Sequence, residues 1–95
     1  MKRSSYWREE LSNEFKDLKF RREYFLNLIR DEDLSVREAL TRVVKAMGIK
    51  EFANLIDMPA SNVSRVLASD DFKLSTLEKF LAAFGLELSV EKLAS

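Results

Sequence analysis

Residues 52–67 read FANLIDMPASNVSRVL, and this stretch decides the fold. Its apolar residues do not alternate as in a strand. Phe52, Ile56, Val63, Val66 and Leu67 instead recur at helical spacing on either side of a break at Asp57-Met58-Pro59. The spacing predicts two short helices, over 50–56 and 59–68, crossing at a steep angle. Such a crossing needs a small residue where the backbones approach, and Ala53 stands there. It also needs apolar side chains aimed into the joint, which Phe52, Ile56, Met58, Val63, Val66 and Leu67 supply. The turn between the helices calls for a residue at positive φ, usually Gly. Asp57 takes that place and tolerates it at some cost. Pro59 suits the first turn of the second helix, where a missing N–H does no harm.

Helical signals flank this pair on both sides. Ser35-Val36-Arg37-Glu38 has the pattern of a capping box, with Leu34 and Ala39 at the staple positions. The helix it opens carries Leu40, Val43, Val44 and Met47 on one face and meets Gly48, where a left-handed C-cap is expected. Ser75-Thr76-Leu77-Glu78 repeats the box pattern ahead of a stripe of Leu77, Phe80, Leu81 and Phe84, ending at Gly85. Upstream, Leu11, Phe15 and Leu18 predict one helix over about 6–20, and Phe25, Leu28 and Ile29 another over 22–30. The stretch Leu86-Glu87-Leu88-Ser89-Val90 alternates as a half-buried strand does. A lone strand is unstable, so it must pair with another chain or lie flat on the domain.

Composition supports an all-α chain. Two Gly and one Pro in 95 residues leave little for the tight turns of a β fold. With no Cys and no His, disulfides, thiolate and imidazole catalysis and nearly all zinc sites drop out, so neither an enzyme nor a metal or other cofactor is expected. The longest apolar runs suit neither a membrane span nor a secretory signal, which makes a cytoplasmic location the expectation. Net charge is zero; residues 1–48 carry two more cations than anions and residues 49–95 two fewer. The length fits one compact unit, with a helical extension over 1–33 and the main domain over 34–95.

The second helix of the central pair has the composition of a reader of DNA. Ala60, Ser61, Asn62, Ser64 and Arg65 are small or polar and none is acidic. Residues near the N-terminus of such a helix face base edges in the major groove. Arg65 suits a guanine edge, Asn62 an adenine or phosphate, Ser61 either, and Ala60 a thymine methyl. Lys50, Lys73, Ser75 and Thr76 stand at helix starts, where phosphates dock on N–H groups and positive charge. Each residue also has a plain structural explanation, because Ser and Asn near a helix start act as caps and a lone Arg is often simply solvated. Tyr6 and Trp7 read as packing anchors.

From Phe52 to Val90, FANLIDMPASNVSRVLASDDFKLSTLEKFLAAFGLELSV resembles the Cro/XRE-type helix-turn-helix of bacterial addiction-module antidotes, the HigA-like antitoxins. The shared features are Phe52-Ala53, the turn, Val63 to Leu67, and Ser75-Thr76-Leu77 through Gly85-Leu86. The segments LKFRREYFLNLI (18–29) and SVREALTRVVKAMG (35–48) are similar to the family's N-terminal helices. Asp17-Leu18-Lys19-Phe20 replaces the usual Asp-Pro-Glu, and Tyr24-Phe25-Leu26 keeps the aromatic-apolar character. The resemblance is most specific from residue 39 onward. It implies a five-to-six-helix Cro/lambda-repressor-like domain with the helical extension, and places the reader positions on Ala60, Ser61, Asn62, Ser64 and Arg65. It also implies a homodimeric autorepressor that binds operator DNA and neutralises a RelE/HigB-type toxin. The helices of residues 6–29 and the tail 86–93 are both candidate toxin surfaces. Two alternatives stay open: a free-standing or phage-type repressor, and a protein-interaction module that has lost DNA binding.

Overall fold

Asp17 divides what the spacing of Leu11, Phe15 and Leu18 predicts as one helix. The computed structural model describes residues 10–69 and 72–93, so Tyr6 and Trp7 lie outside the described residues. A helical stretch over 10–14 gives way to a turn at 15–17, and α1 (Leu18–Arg30) starts anew. The Phe20 N–H donates to the Asp17 carboxylate at 2.9 Å. A short acidic side chain offers the backbone this local partner in place of a continuing helix. The break turns Phe15 fully into the core and leaves Leu18 exposed, so the three residues do not share a buried face. α1 begins four residues earlier than the apolar stripe predicts and buries Phe25 and Leu28.

The predicted capping box at Ser35 is formed. Its hydroxyl accepts from the Glu38 N–H at 3.1 Å, and the Glu38 carboxylate accepts from the Ser35 N–H at 3.0 Å. α2 (Val36–Met47) then buries Ala39, Leu40, Val43, Val44 and Met47, its inner stripe. Gly48 alone links α2 to α3 (Ile49–Leu55). Its φ is +111°, as only Gly adopts readily, but ψ of 127° lies outside the left-handed helical well expected of it. The Gly48 N–H still bonds the Val44 carbonyl, while its own carbonyl accepts from the Phe52 N–H. One residue thus ends one helix and begins the next.

Asp57 has φ +57° and closes α3. The Met58 N–H donates to the Ala53 carbonyl at 3.0 Å and the Asp57 N–H to the Asn54 carbonyl at 3.3 Å, the two bonds of a Schellman motif. Pro59 is the residue just before α4 (Ala60–Ala68), one place outside the helix rather than inside its first turn. α5 (Leu74–Ala82) ends the same way, with Gly85 at φ +70° and the Leu86 N–H on the Leu81 carbonyl.

The second capping box is not formed. The Leu77 N–H bonds the Lys73 carbonyl at 2.9 Å, so helical bonding begins two residues before Ser75. Ser75 is therefore inside the first turn, and its φ/ψ is no longer that of a cap. Nor do residues 86–90 form a strand; the described residues contain helices and irregular chain only. Leu86 and Leu88 pack half-buried on the core, which explains their alternation, while Val90 is 99% and Leu93 87% exposed.

The core runs through every helix as one cluster from Phe15 to Phe84. A file of aromatic rings joins its distant parts: Phe25 to Phe84 at 4.8 Å, Phe84 to Phe52 at 6.3 Å, Phe52 to Phe80 at 5.0 Å and Phe80 to Phe72 at 5.5 Å. Three helix C-termini also receive side-chain donors from remote parts of the chain. The Ser12 hydroxyl donates to the Met47 carbonyl at the end of α2, at 2.7 Å. Arg21 donates through Nε to the Ala83 carbonyl beyond α5 at 2.7 Å, and through Nη1 to the Phe15 carbonyl at 2.8 Å. Arg37, on α2, donates through Nη2 to the Leu67 and Ser69 carbonyls at the end of α4.

Candidate nucleic-acid interface

α4 turns Val63 wholly inward and leaves Ser61, Ser64 and Arg65 exposed. Ala53, on α3, is buried in the same core cluster as Val63 of α4. The Asn62 and Val63 N–H groups both bond the Pro59 carbonyl, at 3.0 and 3.2 Å, so the first turn of α4 is anchored by the residue that precedes it. Proline supplies no side-chain cap. The donors before them, at the very start of α4, are left to water or to an external acceptor.

Four of the nine candidate residues meet in one cleft. Asn62 and Arg65 of α4 face Lys73 and Thr76 at the start of α5 across about 380 Å³, with Met58, Val66 and Ser69 completing the lining. Among the described residues that line it none is acidic, and two are cationic. The start of α5, like that of α4, has no side-chain cap, because Lys73 occupies the capping position. Its leading N–H groups therefore add a partial positive charge to those of Lys73 and Arg65. Such a cleft can hold an oxyanion or the edge of a polar base.

The other candidates stand apart from it. Ser61, Ser64 and Ser75 are exposed but do not line the cleft, and Lys50 is exposed at the start of α3. Ala60 is not an outward residue: it is half-buried against the core, because the first turn of α4 leans on it. Asn62 is half-buried as well, which restricts its amide to the cleft side. Met58 and Ser69 were not predicted as site residues. Met58 reads as joint-filling from its apolar character, and Ser69 enters through the chain's path after α4, which no local spacing encodes.

Two titrating groups outside the cleft are perturbed. Burial pushes the Arg21 guanidinium down, opposed by the nearby Asp17 carboxylate. The Glu38 carboxyl is held below its ordinary value chiefly by the Ser35 backbone N–H, then by the Ser35 hydroxyl. Among the described residues no helix is long and apolar enough to cross a membrane, and no group of three carboxylates is placed to hold a metal ion. No family model, curated protein or solved structure matches this chain.

Proposed function

We propose that this chain is a sequence-specific DNA-binding protein in which α3 and α4 act as a helix-turn-helix and α4 reads base edges in the major groove. The observation that carries this reading is the cleft, without an acid among its described lining residues, in which Asn62 and Arg65 meet Lys73 and Thr76 beside two uncapped helix starts. Base readers and phosphate anchors belong together in this way, since phosphate contacts fix the register in which base contacts are made. Arg65 and Asn62 read bases, with Ser61 and Ser64 beside them. Lys73, Ser75, Thr76 and Lys50 hold the backbone.

The net charge of zero makes a single copy a weak binder. A homodimer spanning two half-sites one DNA turn apart, roughly 34 Å, raises affinity by effective concentration. The resemblance of residues 39–90 to HigA-like antitoxins extends the proposal. The protein represses its own operon and neutralises a RelE/HigB-type toxin, without enzymatic activity of its own.

Binding of the full chain to its own upstream DNA, by gel shift at two salt concentrations beside random DNA, tests the reading. Preference for the upstream sequence, weakened by salt, with two protomers per site in sedimentation, is expected. Equal and weak binding to both DNAs would instead favour a protein-interaction module, the reading to which the acidic balance of residues 49–95 points.

A further inference from the structure

A second cleft opens along α2, on the other flank of α4. Leu34, Arg37, Thr41, Arg42, Lys45 and Leu67 line about 420 Å³ of it, together with Glu38. Three of these residues are cations. Among the described lining residues the one carboxylate is Glu38, which accepts from the Ser35 N–H and also interacts with Arg42. Thr41 turns its hydroxyl back to the Arg37 carbonyl, so it adds no donor to the cleft. The described lining therefore carries a net positive charge, three cations to one carboxylate, next to two leucines.

Arg37 is the distinctive member. Its Nη2 is engaged with the Leu67 and Ser69 carbonyls, while its Nε is buried and has no hydrogen-bond partner among the described residues. Nε and Nη2 form the side-on fork of a guanidinium, which matches the two oxygens of a carboxylate or phosphate. Half of that fork is unfilled, and the other half holds the end of α4. An oxyanion entering the cleft would compete with the carbonyls for Nη2 and, once the guanidinium turns toward it, give the buried Nε a partner. DNA is not the natural occupant. Leu67 follows the reader Arg65 by two residues, about 200° around the helix at 3.6 residues per turn, so this cleft lies on a different face of α4 from Arg65.

We propose that this cleft binds a small organic oxyanion, a carboxylate or phosphate ester with an apolar portion. Arg37 and Arg42 grip its oxygens, Lys45 supplies charge, and Leu34 and Leu67 flank its body. Because Arg37 also ties down α4, ligand and helix share one guanidinium. The site stands on its own geometry whether or not α4 reads DNA.

The test needs no DNA. The full chain, labelled with nitrogen-15, is titrated with succinate in one arm and inorganic phosphate in another, with sodium chloride holding ionic strength constant. Saturable amide shifts confined to residues 34–45 and 67–69 are expected in at least one arm, and which arm responds identifies the oxyanion. Arg42→Ala, at an exposed position, should weaken that response about tenfold, the share of one charge-assisted hydrogen bond. Arg37→Lys, which keeps the charge but not the fork, should weaken it too. Shifts that never saturate in either arm, or that spread evenly over all Lys and Arg neighbourhoods, would overturn the proposal. So would full retention of binding by both variants.

Discussion

Asp57 and Gly85 do the same job with different chemistry. Each holds a positive φ and closes a helix with the same pair of backbone bonds. Asp can take this conformation because its side chain is short and polar; a β-branched residue cannot without a clash. Asp57→Val is therefore expected to cost about 1–2 kcal/mol, read as a fall in thermal midpoint, while Asp57→Gly leaves the fold intact. If Val were tolerated as well as Gly, the turn would not need its left-handed residue. Glu38 makes a pH-dependent contribution of definite sign. Its carboxyl sits below the ordinary value of 4.5 because the ionised form is stabilised first by the Ser35 backbone N–H and then by the Ser35 hydroxyl. A depressed folded value means that this stabilisation is present above the unfolded value and lost as pH falls through the folded one. Glu38→Gln should accordingly lower the midpoint at neutral pH, and the gap should close in acid. A gap that stays constant through the acid range would assign the loss to packing rather than charge.

At the scale of elements, the joint between α3 and α4 depends on Ala53, buried where the two helices come together. Ala53 belongs to the same buried cluster as Phe52, Ile56 and Val63, so a larger side chain there is expected to crowd it. Ala53→Leu should cost about 1–3 kcal/mol through overpacking. It should also shift α4, so that any DNA affinity falls by more than the stability loss explains. Unchanged melting would mean that the joint has slack at this position. The paired helices and their apolar stripes were legible in the sequence, because 3.6-residue periodicity records which face is buried. The break at Asp17 was less legible: Leu11, Phe15 and Leu18 keep a helical spacing across it. Only the N-capping bond to Phe20 shows that the chain restarts there.

Across the whole molecule, Arg21 fastens the two ends of the fold. It is 5% exposed and donates to Phe15 on one side and Ala83 on the other, 62 residues away. Arg21→Met preserves bulk but removes the donor from the Phe15, Lys16 and Ala83 carbonyls, so a loss of roughly 3 kcal/mol is expected in denaturant unfolding. A loss below about 1 kcal/mol would mean that water replaces the guanidinium. Function is read at the same scale. Arg65→Ala should weaken binding to the preferred DNA by about 1–3 kcal/mol and relax one base position. Equal losses on preferred and random DNA would make Arg65 a phosphate contact instead.

The sequence by itself determined that the chain is helical, which faces are buried, and where α2 begins and α3 ends. Those are consequences of local spacing, capping and backbone sterics, which act within a few residues. It also marked Asn62, Arg65, Lys73 and Thr76 individually, since their residue types and helix positions are local facts. Tertiary structure alone decided that these four share one cleft, that Ala60 leans inward, and that α5 starts ahead of its apparent capping box. It alone decided that Ser12, Arg21 and Arg37 supply the donors for helix ends 35, 62 and 30–32 residues away. The physical reason is the same in each case. A helix C-terminus exposes carbonyls that any nearby donor can satisfy, and nearness in space between distant residues is set by the packed core, not by their spacing along the chain.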